Sequence, residues 1–352
     1  MRKTVKYFVI SVMSLAVIAC GEADKQAAQT LQATQDVEEL VLTGRTMGPI
    51  VYTVKVVGEK QRVEQQMLAV NVDQLLKKIN AQMSTYDAES ELSKFNRYQG
   101  MESRNISAEL DRVLTESIRL AKITDGAFDV TVGPLVNLWS FGPEKRPESV
   151  PAKELIASTK QHIGINKISL ESGKLAKNDV KVYVDLSAIA KGFAVDMVAD
   201  YLEQQGYNDY IVDIGGEMRL KGNKLSGKDW RIAVEKPISG TRAVQKVIIP
   251  GDNAVATSGD YRNYFEEDGV RYSHTIDPDT GWPIDHKLVS VTVLHPSAMT
   301  ADGLATAIEV MGPDKGLAFA EQQNVAVYLI SKSDDGFTEQ MTEQFKQYLA
   351  EK

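Results

Sequence analysis

Apolar residues recur every three to four positions in five segments, a spacing that places them on one face of an α-helix. Shorter runs rich in β-branched and aromatic residues predict strands. Helices and strands are mixed along the chain without strict alternation, which favours an α+β fold over a doubly wound parallel sheet. The predicted helices are 62–83, 107–124, 153–162, 192–205 and 300–322, and the predicted strands are 49–57, 181–185, 209–214, 230–235, 245–249, 289–294 and 325–331.

The N-terminus follows a different pattern. Three cations are followed by an apolar run and then by small residues ahead of Cys20. The run is too short to span a bilayer, so the pattern predicts a secretory signal peptide rather than a transmembrane helix. Residues 17–19 resemble a bacterial lipobox, in which Cys20 is lipidated and becomes the new N-terminus. Cys20 is the sole cysteine, so the alternative is a catalytic thiol, but such a nucleophile normally lies in a folded pocket beside a base.

The chain therefore divides into three parts: a signal peptide over 1–19, a lipid-anchored tether over 20–40, and a folded domain over 41–350. The tether is polar, rich in Ala and Gln and free of aromatic residues, which is typical of a flexible linker, with a short amphipathic helix as the alternative. This organisation predicts anchoring on the periplasmic side of a bacterial membrane. Gly21 rather than Asp after the cysteine favours the outer membrane, and the choice between the two membranes stays open.

Charge narrows the range of partners. The formal net charge is −8, and removal of the three cations of the signal peptide makes it −11. A nucleic-acid-binding domain would need a basic face, so a nucleic acid is not an expected partner. The sequence also lacks the P-loop, HExxH, CxxC and GxSxG signatures.

Four stretches carry candidate chemistry. The segment 183–196 joins Asp185 and Lys191 through small residues, which would let a ligand approach the backbone closely. The segment 123–142 combines glycines with aromatic residues, as in a buried core loop or in the wall of a pocket for a planar ring. His274 ends a hairpin-like strand ahead of a turn, where a histidine has either a structural or a chemical role.

The fourth stretch is the apolar helix that starts near residue 300, with Thr300 as its expected N-cap. Asp302 and Thr306 are four residues apart, so both oxygens lie on one face of this helix. A carboxylate and a hydroxyl oxygen suit a hard cation such as Mg²⁺. The alternative is a structural Asp that interacts favourably with the helix dipole.

Eight motifs follow one another along the chain: TGRTMGP (43–49), MSTYDAESELSKFN (83–96), GAFDVTVGPLVNLWSFG (126–142), VDLSAIAKGFAVD (184–196), VDIGGE (212–217), ATSGDYRNYF (256–265), HTIDPDTG (274–281) and SAMTADGLATA (297–307). In this order they resemble the ApbE family of FAD:protein FMN transferases. The resemblance spans about residues 43 to 330 and implies a mixed α/β, ApbE-like catalytic domain related to the T-fold over 41–350.

The resemblance implies roles for individual residues. Those that would contact FAD are Met47, Tyr86, Ala127, Phe128, Asp129, Asp185, Lys191, Ile276 and Ala305. Mg²⁺ would be held by the backbone carbonyl of Ala188 and the side chains of Asp302 and Thr306. His274 is the candidate general base, with the alternative that metal and positioning suffice and His274 only contacts FAD or the acceptor.

The reaction implied by the resemblance is attack of a Ser or Thr hydroxyl of an acceptor protein on the FMN-side phosphorus of FAD, with release of AMP. Acceptors in the family include subunits of sodium-pumping NADH:quinone oxidoreductase and related electron-transfer complexes. Two other functions stay open: Mg²⁺-dependent hydrolysis of FAD to FMN and AMP, and non-catalytic FAD binding by a lipoprotein. The sequence departs from the usual family pattern at Ala233, where a Gly is common and the change is mild if the Cβ points into the core. It also departs at Asp279 and Trp282, which are expected to alter the rim that faces the acceptor.

Overall fold

A computed structural model describes residues 37–144, 148–238, 243–260 and 263–351 of the 352-residue chain. The predicted signal peptide 1–19, Cys20 and the first part of the tether lie outside the described residues, so these predictions are not tested by the fold. Among the described residues, no helix is both long enough and apolar enough to cross a membrane.

The described residues form strands and helices in mixed order. The strands are β1 (Val37–Thr46), β2 (Ile50–Glu59), β3 (Arg104–Asn105), β4 (Ile168–Glu171), β5 (Lys174–Lys177), β6 (Tyr210–Ile214), β7 (Glu217–Lys221), β8 (Ile232–Glu235), β9 (Val244–Ile248), β10 (Ala254–Ser258), β11 (Tyr264–Glu267), β12 (Val270–Ser273), β13 (Leu288–His295), β14 (Ala326–Ser333) and β15 (Gly336–Met341). The helices are α1 (Lys60–Gln65), α2 (Leu68–Met83), α3 (Glu91–Arg97), α4 (Ala108–Ile123), α5 (Gly133–Leu138), α6 (Lys153–Lys160), α7 (Ala190–Gln204), α8 (Ala298–Met311), α9 (Pro313–Gln322) and α10 (Glu343–Lys346), with a 3₁₀ turn at Ile165–Lys167.

An eight-stranded sheet organises the molecule, in the order β1-β2-β6-β7-β10-β13-β14-β15. Each neighbouring pair in it is antiparallel. One face packs against α2, α4, α7 and α8, and the opposite face carries a second apolar cluster with the β8–β9 hairpin and α10. An antiparallel sheet covered by helices on one face confirms the predicted α+β class.

Burial along the strands follows from this layering. Strands β13 and β14 are buried on both faces over almost their whole length, because both layers cover the sheet there. Strand β1 lies at the sheet edge with β2 beside it, and their outer face keeps exposed apolar residues such as Val41 and Val51. The two cores explain why β13 and β14 read as continuous apolar runs, whereas β1 has a mixed pattern that did not predict a strand.

Three predicted elements differ in the structure. The helix predicted over 62–83 breaks at Met67, which has φ 47°, and the helix over 300–322 breaks at Gly312, with φ 79°, ahead of Pro313. The segment 181–185 is not a strand. Instead the Asn96 side chain donates to the carbonyl of Val184 and accepts from its N–H, both at 2.8 Å, so a side chain replaces the neighbouring strand.

The folded domain begins earlier than the predicted boundary at residue 41. Strand β1 starts at Val37, and its register with β2 runs without interruption from Val37 opposite Glu59 to Thr46 opposite Ile50. Residues 37–40, which were expected to belong to the tether, are therefore part of the sheet.

Candidate active site

A cavity of about 350 Å³ opens where β7 and β10 meet the N-terminal end of α7 and the face of α8 that carries Asp302, Thr306 and Val310. It brings together most of the predicted site residues, which are Tyr86, Ala127, Phe128, Asp129, Asp185, Ala188, Lys191, His274, Ile276, Asp302 and Thr306. Met47 and Ala305 are not among the residues that line it. Met47 lies in the β1–β2 turn and packs against the main core, and Ala305 is buried on the core side of α8.

Gly192 allows the two site helices to approach closely. A Cβ at this position would lie 2.2 Å from the carbonyl oxygen of Ala298 and 2.8 Å from the Cβ of Asp302. Its N–H donates to Asp302 Oδ2 at 2.9 Å. The glycine that follows Lys191 thus fixes the Asp302 carboxylate at the N-terminal end of α7, where the helix dipole favours negative charge.

The N-terminus of α8 is held by a side chain of α7. Asp196 accepts hydrogen bonds from the backbone N–H groups of Ala298 and Met299 at 2.9 and 3.0 Å and from the Ser297 hydroxyl at 2.6 Å. Ser297 is the N-cap, and its Oγ accepts from the N–H of Thr300. The prediction of Thr300 as the cap was therefore wrong by one turn; its hydroxyl donates to Glu116 instead.

Two carboxyl groups share one partly buried lysine in the cavity. Lys191 Nζ lies 2.7 Å from Glu217 Oε1 and 3.8 Å from Asp302 Oδ1. Burial alone would lower the pKa of Lys191, but the charges of Asp302 and Glu217 outweigh it and raise that pKa. Burial, with the Asp302 charge adding to it, raises the pKa of Glu217 to about 7. Glu217 Oε2 is buried without a hydrogen-bond partner, and two carboxyl groups face a single cation.

Two other predicted site carboxylates are occupied by local backbone and hydroxyl donors. Asp185 Oδ1 accepts from the N–H and the hydroxyl of Ser187 at 2.8 and 2.5 Å. Asp129 accepts from Thr131 through Oδ1 and from the N–H of Ile165 through Oδ2. Burial raises the pKa of the Asp129 carboxyl. In this structure both aspartates shape the loops that line the cavity, and their predicted contacts with FAD stay predictions.

His274 is oriented by the backbone. Its Nδ1 donates to the carbonyl oxygen of Asn263 at 3.1 Å, and Phe141 contacts the ring edge-on at 6.3 Å between centroids. Burial lowers the pKa of His274, which keeps the imidazole neutral near pH 7. With Nδ1 as the donor, Nε2 carries the free lone pair, so His274 has the tautomer that a general base requires.

Glu309 is a buried carboxylate that the sequence analysis missed. Its Oε2 accepts from the hydroxyls of Ser258 and Thr275 at 2.5 and 3.1 Å, and its Oε1 has no partner. Burial raises the pKa of Glu309 to about 7. Ser258 and Thr275 line the cavity, so Glu309 supports its wall from behind. The available signal was a second carboxylate, besides Asp302, in a largely apolar helix. Glu217 was a similar indication, because it is a charged residue at the first, buried position of β7.

The aromatic residues of 123–142 divide between the two predicted roles. Phe128 and Phe141 line the cavity. Trp139 is fully buried in a separate cluster, stacks on Tyr272 at 5.6 Å and donates from its indole N–H to the carbonyl of Gly281 at 2.9 Å. Tyr86 stands at the rim with 70% of its surface exposed. The segment is thus partly a pocket wall and partly core.

A neighbouring cleft of about 650 Å³ extends the cavity. Both are lined by Ala127, Asp129, Pro278 and Val310. An elongated ligand could therefore place one end in the cavity and the other in the cleft, past the loop that carries Ala127.

The predicted metal ligands suit a hard cation, because all three are oxygen donors. The Ala188 carbonyl, the Asp302 carboxylate and the Thr306 hydroxyl line the same cavity, and the unpartnered Glu217 oxygen is a further oxygen atom in its lining. Oxygen donors of this kind suit Mg²⁺, which binds one or two carboxylates and takes other ligands from a substrate. In the described parts of the chain, no group of three or more His, Cys, Asp or Glu side chains is arranged to hold a metal ion.

These features define an α+β protein with an elongated cavity that is rich in carboxyl groups. The ApbE family model matches residues 47–329, and the chain belongs to this family. The FAD:protein FMN transferase of Vibrio cholerae is 51% identical over 313 residues, which cover 89% of this chain and 93% of that protein. The enzyme of the same name from Haemophilus influenzae is 46% identical over 353 residues, covering 98% of each chain.

Solved structures agree with this assignment. The flavin transferase ApbE from Vibrio cholerae superposes with a TM-score of 0.83 at 50% identity, covering 89% of this chain and all of that chain. The flavinyl transferase ApbE from Pseudomonas stutzeri, in its apo form, gives a TM-score of 0.82 at 38% identity and covers 90% of this chain and 98% of that one.

Proposed function

We propose that this protein is an FAD:protein FMN transferase that moves FMN from FAD to a Ser or Thr hydroxyl of an acceptor protein and releases AMP. The observation that carries the proposal is the cavity itself, where Asp302 and Glu217 outnumber Lys191 and a neutral histidine lines the same space. Family membership and the shared name of the relatives support the same reaction.

Mg²⁺ would be held by the carbonyl of Ala188, the carboxylate of Asp302 and the hydroxyl of Thr306. When bound, the ion would neutralise charge on the pyrophosphate and act as a Lewis acid. Lys191 supplies positive charge at the same place, fixed by its 2.7 Å contact with Glu217. Phe128 and Phe141, with Tyr86 at the rim, offer apolar and aromatic surface to the ring systems of FAD.

The transfer needs an in-line displacement at the FMN-side phosphorus. The acceptor oxygen forms a new P–O bond, the anhydride P–O bond breaks, and its electron pair leaves with AMP. His274 Nε2 would accept the proton of the attacking hydroxyl, because Nδ1 is engaged by Asn263 and the ring is neutral near pH 7. If metal and positioning suffice, His274 instead contacts FAD or the acceptor.

The test uses the protein without its first 20 residues, incubated with FAD and Mg²⁺, with and without an acceptor. We propose a flavin-accepting subunit of sodium-pumping NADH:quinone oxidoreductase as that acceptor. Intact-mass spectrometry follows the acceptor, and AMP is assayed in parallel. A mass gain equal to FMN with AMP release, both lost in EDTA, supports the transferase. Free FMN and AMP without a protein adduct would replace it with a hydrolase, and neither product would leave an FAD-binding protein.

We also propose that the protein is exported by the signal peptide over 1–19 and anchored through lipidated Cys20 on the periplasmic side of a membrane. The spacing of the basic start, the apolar run and the cysteine supports this. Replacement Cys20→Ser should move the protein from the membrane fraction to the soluble periplasmic fraction with its chemistry unchanged. Unaltered membrane association of the variant would contradict the anchor.

A further inference from the structure

A second concavity of about 630 Å³ lies on the sheet face that the helices do not cover. Its floor includes Val51 and Thr53 of β2, whose neighbours Tyr52 and Val54 point into the main core on the other face. Its wall is strand β8, of which all four residues, Ile232–Glu235, line the space. We call this concavity the outer groove. None of the site residues predicted from the sequence belongs to it.

The outer groove is bordered by strand edges that can accept another strand. Among the described residues, β8 pairs with β9 alone and forms a two-stranded sheet. Strand β10 continues to Ser258 along β13, but it pairs with β7 only at Ala254 and Val255. An unpaired edge offers its backbone N–H and C=O groups to an extended peptide, which is a common mode of peptide recognition.

The outer groove also leads to the active-site cavity. Thr257 of β10 lines both spaces, and the consecutive residues Gly216 and Glu217 line the groove and the cavity respectively. A Cβ on Gly216, which has φ 105°, would meet no atom within 4 Å, so the junction has open space. Gly215 donates to the carbonyl of Val51 at 3.2 Å, which places this turn beside the groove floor.

We infer that the outer groove binds the acceptor protein, as an extended Ser- or Thr-containing segment that lies along β8 and directs its hydroxyl past Thr257 into the cavity. The inference rests on the proposed function, because only a transferase needs a polypeptide to reach the cavity. Alignment along β8 explains backbone recognition, and the open junction explains how one side chain enters the site.

Val51→Trp tests the inference, because this side chain projects from the groove floor and is 52% exposed, so the larger residue does not disturb the core. The matched control is Val41→Trp. Val41 is 54% exposed on the same face, on strand β1, and does not line the groove. The probe is the flavin-accepting subunit of sodium-pumping NADH:quinone oxidoreductase, with FAD and Mg²⁺.

We expect Val51→Trp to raise the KM for the acceptor at least about tenfold while the KM for FAD stays within about twofold. Val41→Trp should leave both within about twofold of the parent. Thr53→Trp, a second change in the groove floor, should repeat the effect of Val51→Trp. Agreement between the two variants would show that the effect is not due to a folding defect in one of them. Melting temperatures of all variants are measured alongside.

The outcomes separate the inference from the proposed function. If the parent releases AMP and FMN but attaches no flavin to the acceptor, the proposed function fails and the inference fails with it. If the parent transfers FMN and both groove variants do so with an unchanged KM for the acceptor, the inference alone is overturned. A change from dimer to monomer in light scattering with unchanged transfer would assign the groove to self-association and also overturn it.

Discussion

Two groups of charged residues lie between α7 and β7, one turn of helix apart, and they are built in opposite ways. At the site, β7 contributes a carboxylate, Glu217, and α7 contributes the cation Lys191. Further along, β7 contributes Arg219, and α7 contributes Asp196, Asp200 and Glu203. The second group has a further cation, Lys221, 2.7 Å from Glu203.

The groups differ in how completely their atoms are satisfied. Arg219 donates to Asp196, Asp200 and Glu203 at 2.8 to 3.2 Å, and Asp196 also caps α8. Around Lys191, one Glu217 oxygen is buried without a partner, and Asp302 Oδ1 is 3.8 Å from the ammonium group. A satisfied network stabilises a fold, whereas an unsatisfied buried carboxylate is kept at a cost in stability that a ligand can offset. The contrast predicts that the first group serves chemistry and the second serves folding.

The largest expected effect is on catalysis by Asp302→Ala. We expect transfer to fall by about 10³-fold or more, because the change removes the carboxylate of the proposed metal set. Binding of FAD, measured by fluorescence titration, should weaken much less. Asp302→Asn is the control for structure, since it preserves an acceptor for the N–H of Gly192. Full activity in Asp302→Ala would remove Asp302 from the metal site and with it the assignment of the Lys191 group to chemistry.

The next effect concerns His274, which lies in the same cavity as the Lys191 group. His274→Gln should lower kcat for transfer about 10²-fold and leave the affinity for FAD nearly unchanged, because a base acts only in the chemical step. Burial lowers the pKa of His274, so the acid limb of the wild-type pH profile should lie below the ordinary histidine value. The limb should be absent from the variant. A kcat close to the parent value would show that metal and positioning suffice.

Arg219→Met tests the other side of the comparison. Arg219 is 21% exposed, and its loss would leave three carboxylates close together without their shared donor. We expect the free energy of unfolding in urea to fall by about 3 kcal/mol. Arg112→Met is the control, since Arg112 reaches Asp200 only at 3.8 Å and is 50% exposed, and such surface pairs contribute less than about 1 kcal/mol.

At 15 °C, where enough Arg219→Met protein stays folded, its kcat should lie within about threefold of the parent. A variant that folds normally but has lost transfer would show that the Arg219 group takes part in chemistry, and the contrast between the two groups would then fail.

How much of this could be predicted from the sequence depends on what each element encodes locally. Helices α4 and α7 carry a regular apolar period and were predicted closely. Strands β1 and β15 were missed because they lie at the sheet edges, where polar and apolar residues mix. The strand expected at 181–185 failed for a long-range reason: its backbone is satisfied by Asn96, which is 88 residues away from Val184 in the chain.

The site residues were likewise predictable only where local spacing or a motif in the chain marks them. Asp302 and Thr306 were paired from helical spacing alone, and the ApbE resemblance linked them to Lys191 and His274. The role of Glu217 beside Lys191 was not predictable from spacing, because it depends on β7 packing against α7. The outer groove was equally hidden, since it is formed by a β-hairpin docked on a sheet face and has no sequence motif.

Glu309 adds a third case to the comparison, because only one of its carboxyl oxygens is hydrogen-bonded. Oε2 accepts hydrogen bonds from two hydroxyls, while Oε1 has no partner. Burial raises its pKa from 4.5 to about 7, so the folded state binds this proton more tightly than the unfolded state. The resulting stabilisation is complete below about pH 4.5 and is lost as the pH rises through about 7.

Glu309→Gln preserves an acceptor and cannot ionise. Between pH 5 and pH 8, the parent should therefore lose about 2 kcal/mol relative to this variant in urea unfolding with EDTA present. Glu309→Ala should be less stable than Glu309→Gln at both pH values, because the Ser258 and Thr275 hydroxyls lose their acceptor. Parallel stability curves for the parent and Glu309→Gln would mean that Glu309 is already ionised at pH 5, and it would then belong with the satisfied carboxylates around Arg219.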